Sequence, residues 1–347
     1  MLTQNPLPDI SIIIPTFNSA RTLNSCLESV FLQDYPEEKL EIVIADAGSK
    51  DATLSIIEDF RKKNGIKIKI FRNPLQTGEA GKAVGFKNSN NGIIAFIDSD
   101  NILPEPGWIK KMVEPFADPG IIASEPIEYS RRKQDGYITR YCALIGMNDP
   151  LCLFLGNYDR VNALTGKWTE IKHKEQDRGG YLEVKLNKAG IPTIGANGFF
   201  IRRQVLNKYG VTDYLFDIDV LCGLISSEGE ITIAKVKTGI IHIFSGSIKT
   251  FALKQKRRVR DYIYYSRLGT RKYPWNSVKK SGIFVFALCT LTQVPLWAQS
   301  IKGCLKKPDT AWFFHPLACL ITLWEYGCAA VSSVFIVDKL DRGKWRQ

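Results

Sequence analysis

The sequence predicts an α/β protein built on a mostly parallel sheet and followed by a helical hydrophobic hairpin. Three observations predict it. Short apolar runs alternate with segments of helical spacing through the first hundred residues, the rhythm of βαβ units. One of these runs, Ile93 to Ile97, is unbroken and ends abruptly in Asp98-Ser99-Asp100, as a strand buried on both faces would. Beyond Phe244 the composition shifts, first to a basic amphipathic stretch and then to long segments almost without charge.

Taken in order, Ile10 to Ile14 reads as a first strand closed by Pro15-Thr16-Phe17-Asn18, and Leu23, Leu27, Val30 and Phe31 then recur at helical spacing. Leu40 to Ala45 is a second buried strand. It ends in Asp46-Ala47-Gly48-Ser49-Lys50-Asp51, where Gly48 permits a tight turn before a helix carrying Leu54, Ile57 and Phe60. Ile66 to Phe71 makes a third strand, and Asn73 to Lys82 a Gly-containing loop whose amides and Lys82 would face phosphate oxygens, with a helix from Ala83. The fourth strand delivers Asp98 and Asp100 to the carboxyl edge of the sheet, where open α/β sheets bind ligands. Two hard oxygen donors two residues apart suit Mg²⁺ or Mn²⁺; taken alone, an Asp-rich turn explains them as well.

Composition narrows the class. With 347 residues, 45% of them hydrophobic and 24% charged, the chain has ample material for a folded core. The net charge of +12 points to an anionic partner: nucleotide phosphates, lipid headgroups or nucleic acid. No nucleic-acid recognition module accompanies the charge, so nucleic acid is set aside. Eight scattered cysteines without C-x-x-C pairs, and three histidines that complete no zinc spacing, read as reduced thiols on a cytosolic face. The start, MLTQNPLPDI, lacks the basic and apolar regions of a cleavable signal.

Ser-Ile-Ile-Ile-Pro-Thr-Phe-Asn from Ser11, Glu-Ile-Val-Ile-Ala-Asp from Glu41, and the Gly/Lys loop before Ile-Ile-Ala-Phe-Ile-Asp-Ser-Asp-Asn resemble, in this order, the nucleotide-binding half of family 2 glycosyltransferases. These are inverting enzymes of the GT-A fold, a Rossmann-like, mostly parallel sheet. The resemblance continues through Ile194 to Arg203, similar to the family's G-x-N-x-x-x-R-R segment, and through Phe216-Asp217-Ile218-Asp219, where the family usually has Glu-Asp. It covers roughly residues 8 to 245.

The resemblance implies a divalent metal (Mg²⁺ or Mn²⁺) held by Asp100 with Asp98 and His242, and a nucleotide-diphosphate sugar held by Pro15, Thr16, Asn18, Asp46, Gly48, Lys82, Asp98, Ser99 and His242. It implies Asp217 as general base, with Asp219 as the alternative register, since one of the two could only cap the helix that starts there. Without the motifs, Asp46 and Asp51 would read as caps, Lys82 as a solvated cation and His242 as a satisfied core histidine. A nucleotide-sugar-binding scaffold without turnover is the non-enzymatic alternative. A nucleotidyltransferase is the enzymatic one, but it expects a Gly-rich basic loop where this chain has Pro15-Thr16-Phe17-Asn18.

The organisation expected is 1–130 as the nucleotide-sugar half, 131–247 as the acceptor half, 248–275 as a basic amphipathic helix and 276–347 as membrane-associating helices. Arg140-Tyr141, Asn148-Asp149-Pro150 and Thr165-Gly166-Lys167-Trp168 look like acceptor-groove material. Lys254, Lys256, Arg257, Arg258, Arg260 and Arg267 interleave with Phe251, Leu253, Val259, Tyr262, Ile263 and Tyr265, a pattern for a membrane surface. Ser281 to Ile301 carries no charge and Ala311 to Val337 only Glu325, close to the ~20 apolar residues of a span. Pro295, His315, Pro316 and Glu325 leave two crossings and a hairpin lying in the bilayer equally open. The chain is expected at the cytoplasmic face of the cell membrane, acting on a glycan or lipid-linked acceptor.

Overall fold

The computed structural model describes residues 6–63, 65–195, 197–267, 269, 271–273 and 280–335. Ala196, Leu268, Ile336 and Val337, which the motifs and apolar runs above include, lie outside the described residues. The chain divides into two compact units, Met1–Ser130 with Lys172–His242, and Arg131–Ile171 with Ile243–Gln347. The stretch 131–171, expected with the acceptor half, therefore groups with the C-terminal segments. The reason is aromatic packing: Tyr141, Tyr158, Phe244, Phe251, Trp312 and Phe314 share one buried cluster.

The first unit runs β1 (Ile10–Thr16), α1 (Ala20–Phe31), β2 (Leu40–Asp46), α2 (Thr53–Lys63), β3 (Lys67–Arg72), α3 (Gly78–Lys87), β4 (Ile93–Phe96), β5 (Asn101–Ile102), α4 (Trp108–Val113) and β6 (Ile121–Ser130). The second unit's α5 (Tyr137–Ile145) and α6 (Leu151–Leu155) intervene. The first then resumes with β7 (Lys174–Asp177), β8 (Tyr181–Asn187), β9 (Phe199–Arg202), α7 (Arg203–Tyr209), α8 (Asp217–Glu228) and β10 (Glu230–His242). One sheet has the order β3-β2-β1-β4-β9-β6-β10-β8-β7, with β5 paired to β10. Strands β3, β2, β1 and β4 are mutually parallel, so Thr16, Asp46 and the residues after Phe96 emerge at one edge. β9 runs antiparallel between β4 and β6, and β10 lies parallel to β6. Every residue of β2 and β4 is buried, including Glu41 of β2, whose carboxylate accepts from Ser11 Oγ and Lys69 Nζ at 2.5 Å each.

One boundary differs from expectation. Gly78 to Lys82 is not loop but the opening of α3, because the Thr77 hydroxyl accepts the Ala80 amide at 3.0 Å and caps the helix five residues early. Gly81 lets this helix sit on the end of β1, since a Cβ there would lie 2.8 Å from the Pro15 Cβ.

The second unit continues with α9 (Ile248–Arg267), α10 (Lys280–Thr292), α11 (Val294–Lys306) and α12 (His315–Phe335). α9 is the expected basic helix, but Arg258 does not serve an outer face. Its guanidinium donates to the Asn148 carbonyl at 3.1 Å and the Gln255 amide oxygen at 2.6 Å, and lies 3.9 Å from Asp149. The Tyr326 hydroxyl of α12 donates to that same Asp149 carboxylate at 2.5 Å. Asn148 and Asp149, expected at an acceptor groove, thus bind α9 and α12 together. The helix from Thr310 to Ser332 is long and apolar enough to cross a membrane, and Ser281–Thr292 and Val294–Lys306 form a pair bent by 91°. Among the described residues no disulfide forms.

Candidate active site

The carboxyl edge of β1, β2 and β4 gathers most of the predicted residues. Asp46, the last residue of β2, is buried and fully engaged: one carboxylate oxygen accepts from Thr16 Oγ1 at 2.9 Å and Ser49 Oγ at 2.6 Å, the other from the Gly48 and Ser49 amides at 2.8 Å. Gly48 meets this turn with φ +86°. Asn18 closes the neighbouring loop in a left-handed conformation, φ +47°, its side chain accepting from Lys50 N and its own amide donating to Ser49 Oγ. Ser99 reaches the same loop by donating to Ser19 Oγ at 3.0 Å. Asp51 is a cap, accepting from Ala20 N and from Thr53 N and Oγ1.

After β4 the chain turns sharply. The Asn101 side chain accepts the Asp98 amide and the Asn101 amide donates to the Asp98 carbonyl, both at 2.9 Å. Asn101 Nδ2 then donates to Asn197 Oδ1 at 2.9 Å, and Asn197 Nδ2 to Tyr129 Oη at 3.0 Å, all three residues being buried. This network ties the Asp98-Ser99-Asp100 turn to Asn197 and Tyr129. Neither Asn101, Asn197 nor Tyr129 stands among the predicted site residues. The signal was present for two of them, since Asn101 and Asn197 lie inside the quoted motifs.

Two residues distant in sequence meet at the turn. β10 pairs antiparallel with β5 in a register that sets His242 opposite Asn101, and His242 Nε2 comes within 3.4 Å of Asp100 Oδ2. Asp98 lies on the other side of the problem: its charge acts on Lys82 and Asp217. Beneath the turn, burial and then the charges of Asp100 and Asp98 push the Cys26 thiol up, so it is not a nucleophile.

Lys82 donates to the Asp217 carboxylate, both side chains being almost wholly buried. Burial opposes the charge of Lys82, yet Asp217 and then Asp98 hold its ammonium above the ordinary lysine range. Burial raises Asp217 from 3.8 to about 7, with Lys82 pulling the other way. Only one Asp217 oxygen is used: Oδ1 is buried without a hydrogen-bond partner among the described residues. Asp219, also buried, sits one turn into α8 with its amide on the Phe216 carbonyl. Gly195, φ +127°, closes on Asp217 so tightly that a Cβ there would overlap the aspartate. The Gly195 amide is held at 2.9 Å by Glu125, whose other oxygen takes Lys235 Nζ at 2.6 Å; this ion pair is completely buried.

The chemistry of the donor set fits a divalent cation. Asp100 and His242 offer a carboxylate oxygen and an imidazole nitrogen at a separation two ligands of one ion can have. Among the described residues no group of three or more His, Cys, Asp or Glu side chains stands together as a ready-made metal cage. A site of this kind leaves most positions to substrate oxygens and water.

Comparison with known proteins bears on the family and the fold. Over 108 residues the chain is 40% identical to the dolichyl N-acetyl-α-D-glucosaminyl phosphate 3-β-D-2,3-diacetamido-2,3-dideoxy-β-D-glucuronosyltransferase of Methanococcus voltae, covering 31% of this chain and 33% of that protein. Over 98 residues it is 31% identical to the GalNAc(5)-diNAcBac-PP-undecaprenol β-1,3-glucosyltransferase of Campylobacter jejuni, covering 28% and 31%. The matched stretch thus spans about a third of either relative. A solved structure of the mannosyltransferase PcManGT from Pyrobaculum calidifontis, in complex with GDP-Man and Mn²⁺, shares the fold with a TM-score of 0.54 at 16% identity, over 95% of this chain and 88% of that one. The model of the family described as glycosyl transferase family 2 matches residues 11–210, more than half the sequence, and the chain belongs to that family.

Proposed function

We propose that this protein transfers a sugar, with inversion, from a nucleotide-diphosphate sugar to an acceptor hydroxyl or phosphate, using Mg²⁺ or Mn²⁺. The observation that carries the reading is the meeting of Asp100 and His242 at 3.4 Å, at the sheet edge where Thr16, Asp46 and Asp98 also emerge. Asp100 and His242 are the residues that would hold the metal. When bound, it supplies Lewis-acid neutralisation of the departing diphosphate. Asp46, Gly48, Thr16, Asn18, Pro15 and Ser99 line the nucleoside end, Lys82 and Asp98 its ribose and phosphate end. Asp217 Oδ1 takes the acceptor proton as the acceptor oxygen bonds to the anomeric carbon and the bond to the diphosphate breaks on the opposite face. A buried carboxylate raised to about 7 is matched to that task near neutral pH.

The dolichyl and undecaprenol compounds in the names of two relatives support a lipid-linked acceptor, and with the apolar C-terminal helices they support action at the cytoplasmic membrane face. A nucleotide-sugar scaffold without turnover is distinguished by assay. Thermal shift against a panel of nucleotide-diphosphate sugars, with and without Mn²⁺, should show one donor stabilising the protein only with metal. Asp100→Ala should abolish that shift while keeping the fold. An unchanged donor affinity and activity in this variant would remove the metal-ligand role, and binding without transfer or hydrolysis would favour the scaffold.

A further inference from the structure

The helices α10, α11 and α12 turn rows of apolar side chains outward while burying several polar ones, unlike helices on a water-facing surface. On α11 the outer face carries Val294, Trp297, Ile301 and Leu305, spaced as one helical stripe, and Leu305 is 80% exposed. Its inner face carries Leu296, Ser300 and Gly303, with Ser300 wholly buried. On α10 Phe284, Leu288 and Leu291 are exposed, while Thr290 is buried. On α12 Leu317, Leu320, Trp324 and Val331 are exposed along one side. The other side holds His315 and Thr322, both completely buried, with the His315 ring between Tyr141 Oη and Gln299 Oε1 at 2.7 Å each. Three helices with so many exposed apolar side chains present a surface far beyond the scattered leucines of an ordinary one.

We infer that this patch seats in one leaflet of a lipid bilayer, with the helices lying in the membrane plane and none crossing it. Two facts argue against a crossing. α10 and α11 have 13 residues each, about 20 Å of helix against a hydrocarbon core of about 30 Å, and they meet at 91° at Gln293, φ +62°. α12 has the length, but its inner side is committed to the unit's aromatic core and, through Tyr326, to Asp149 and Arg258. A crossing would carry the charged helix α9, packed along α12, into hydrocarbon. Charge placement chooses lipid over a second copy of this chain. Lys302 and Lys307 are exposed beside Ile301 and Leu305, where long stems reach headgroups, and Trp297 and Trp324 suit the interface. The inference does not depend on the glycosyl-transfer reading.

The test uses the full chain and vesicles of phosphatidylcholine alone or with a third phosphatidylglycerol. Flotation should recover the protein with both, more with the anionic lipid. Leu291→Glu with Leu305→Glu, both at highly exposed positions, should lower vesicle partition about tenfold or more at unchanged melting temperature, whereas Leu32→Glu on the first unit should not. Tryptophan emission removed by Trp297→Phe with Trp324→Phe should be quenched more by lipids brominated near the headgroup than by those brominated near the chain ends. Failure of the wild type to float, or equal flotation of the double Glu variant, overturns the docking surface. If the same variant instead dissociates a dimer that ignores vesicles, the patch belongs to a second copy. Stronger quenching from the chain ends overturns the single-leaflet arrangement.

Discussion

The Lys82 ammonium donates to the Asp217 carboxylate, joining α3 to the first residue of α8 inside the unit. Because burial raises Asp217 to about 7 and Lys82 opposes that rise, the pair sets the pH at which the carboxylate becomes a base. Turnover at saturating substrate should therefore increase with pH through about 7 and then level, since only the ionised form accepts a proton. Lys82→Met removes the lowering charge, so the inflection of the pH–rate profile should move to higher pH. An unmoved inflection would assign it to another group. In stability the sign is opposite: the carboxyl holds its proton more tightly folded than unfolded, so this group's contribution is present at low pH and is lost as pH rises from its unfolded value to about 7.

Asp217→Asn should bind the donor with Mn²⁺ as wild type does and lose roughly 10² to 10⁴ in turnover, the usual span for a missing general base. Calorimetric donor titration and initial rates measure the two separately. Should Asp219→Asn show that pattern while Asp217→Asn does not, the base is Asp219 and Asp217 is the partner of Lys82 only.

The Glu125–Lys235 pair is buried on both sides and also anchors the Gly195 amide. Glu125→Leu leaves a buried ammonium without its counter-charge and should cost about 3–5 kcal/mol in denaturant unfolding. Adding Lys235→Met should recover most of that stability. Turnover should stay low in the double variant, because the Gly195 amide still lacks its acceptor beside Asp217. Full recovery of both would make the pair purely structural.

Arg258→Gln tests the inner role of the basic helix. The side chain serves Asn148, Gln255 and Asp149, so the variant should lower the melting temperature by several degrees. Arg257→Gln, at an exposed position, should leave melting unchanged and reduce preference for anionic vesicles at low salt. Equal effects of the two substitutions on melting would contradict the inward hydrogen bonding of Arg258.

The sequence by itself determined the strands β1, β2 and β4, because their burial demands mostly apolar runs, and it determined that Thr16, Asp46, Asp98 and Asp100 end those strands on one edge. It also determined the apolar character of the last helices. Local periodicity and turn chemistry suffice for such features. What only the tertiary structure decided were the long-range meetings. The register of β10 against β5 sets His242 beside Asp100, α3 begins early enough to bring Lys82 to Asp217, and Glu125 finds Lys235 across neighbouring strands. The same holds for Arg258, whose sequence neighbourhood reads as an outer basic face while its partner Asp149 arrives from another helix–loop segment. A charge within a periodic pattern shows which way its backbone faces only on average. Which partner compensates it is fixed by strand register and helix packing, and these depend on residues far away in the chain.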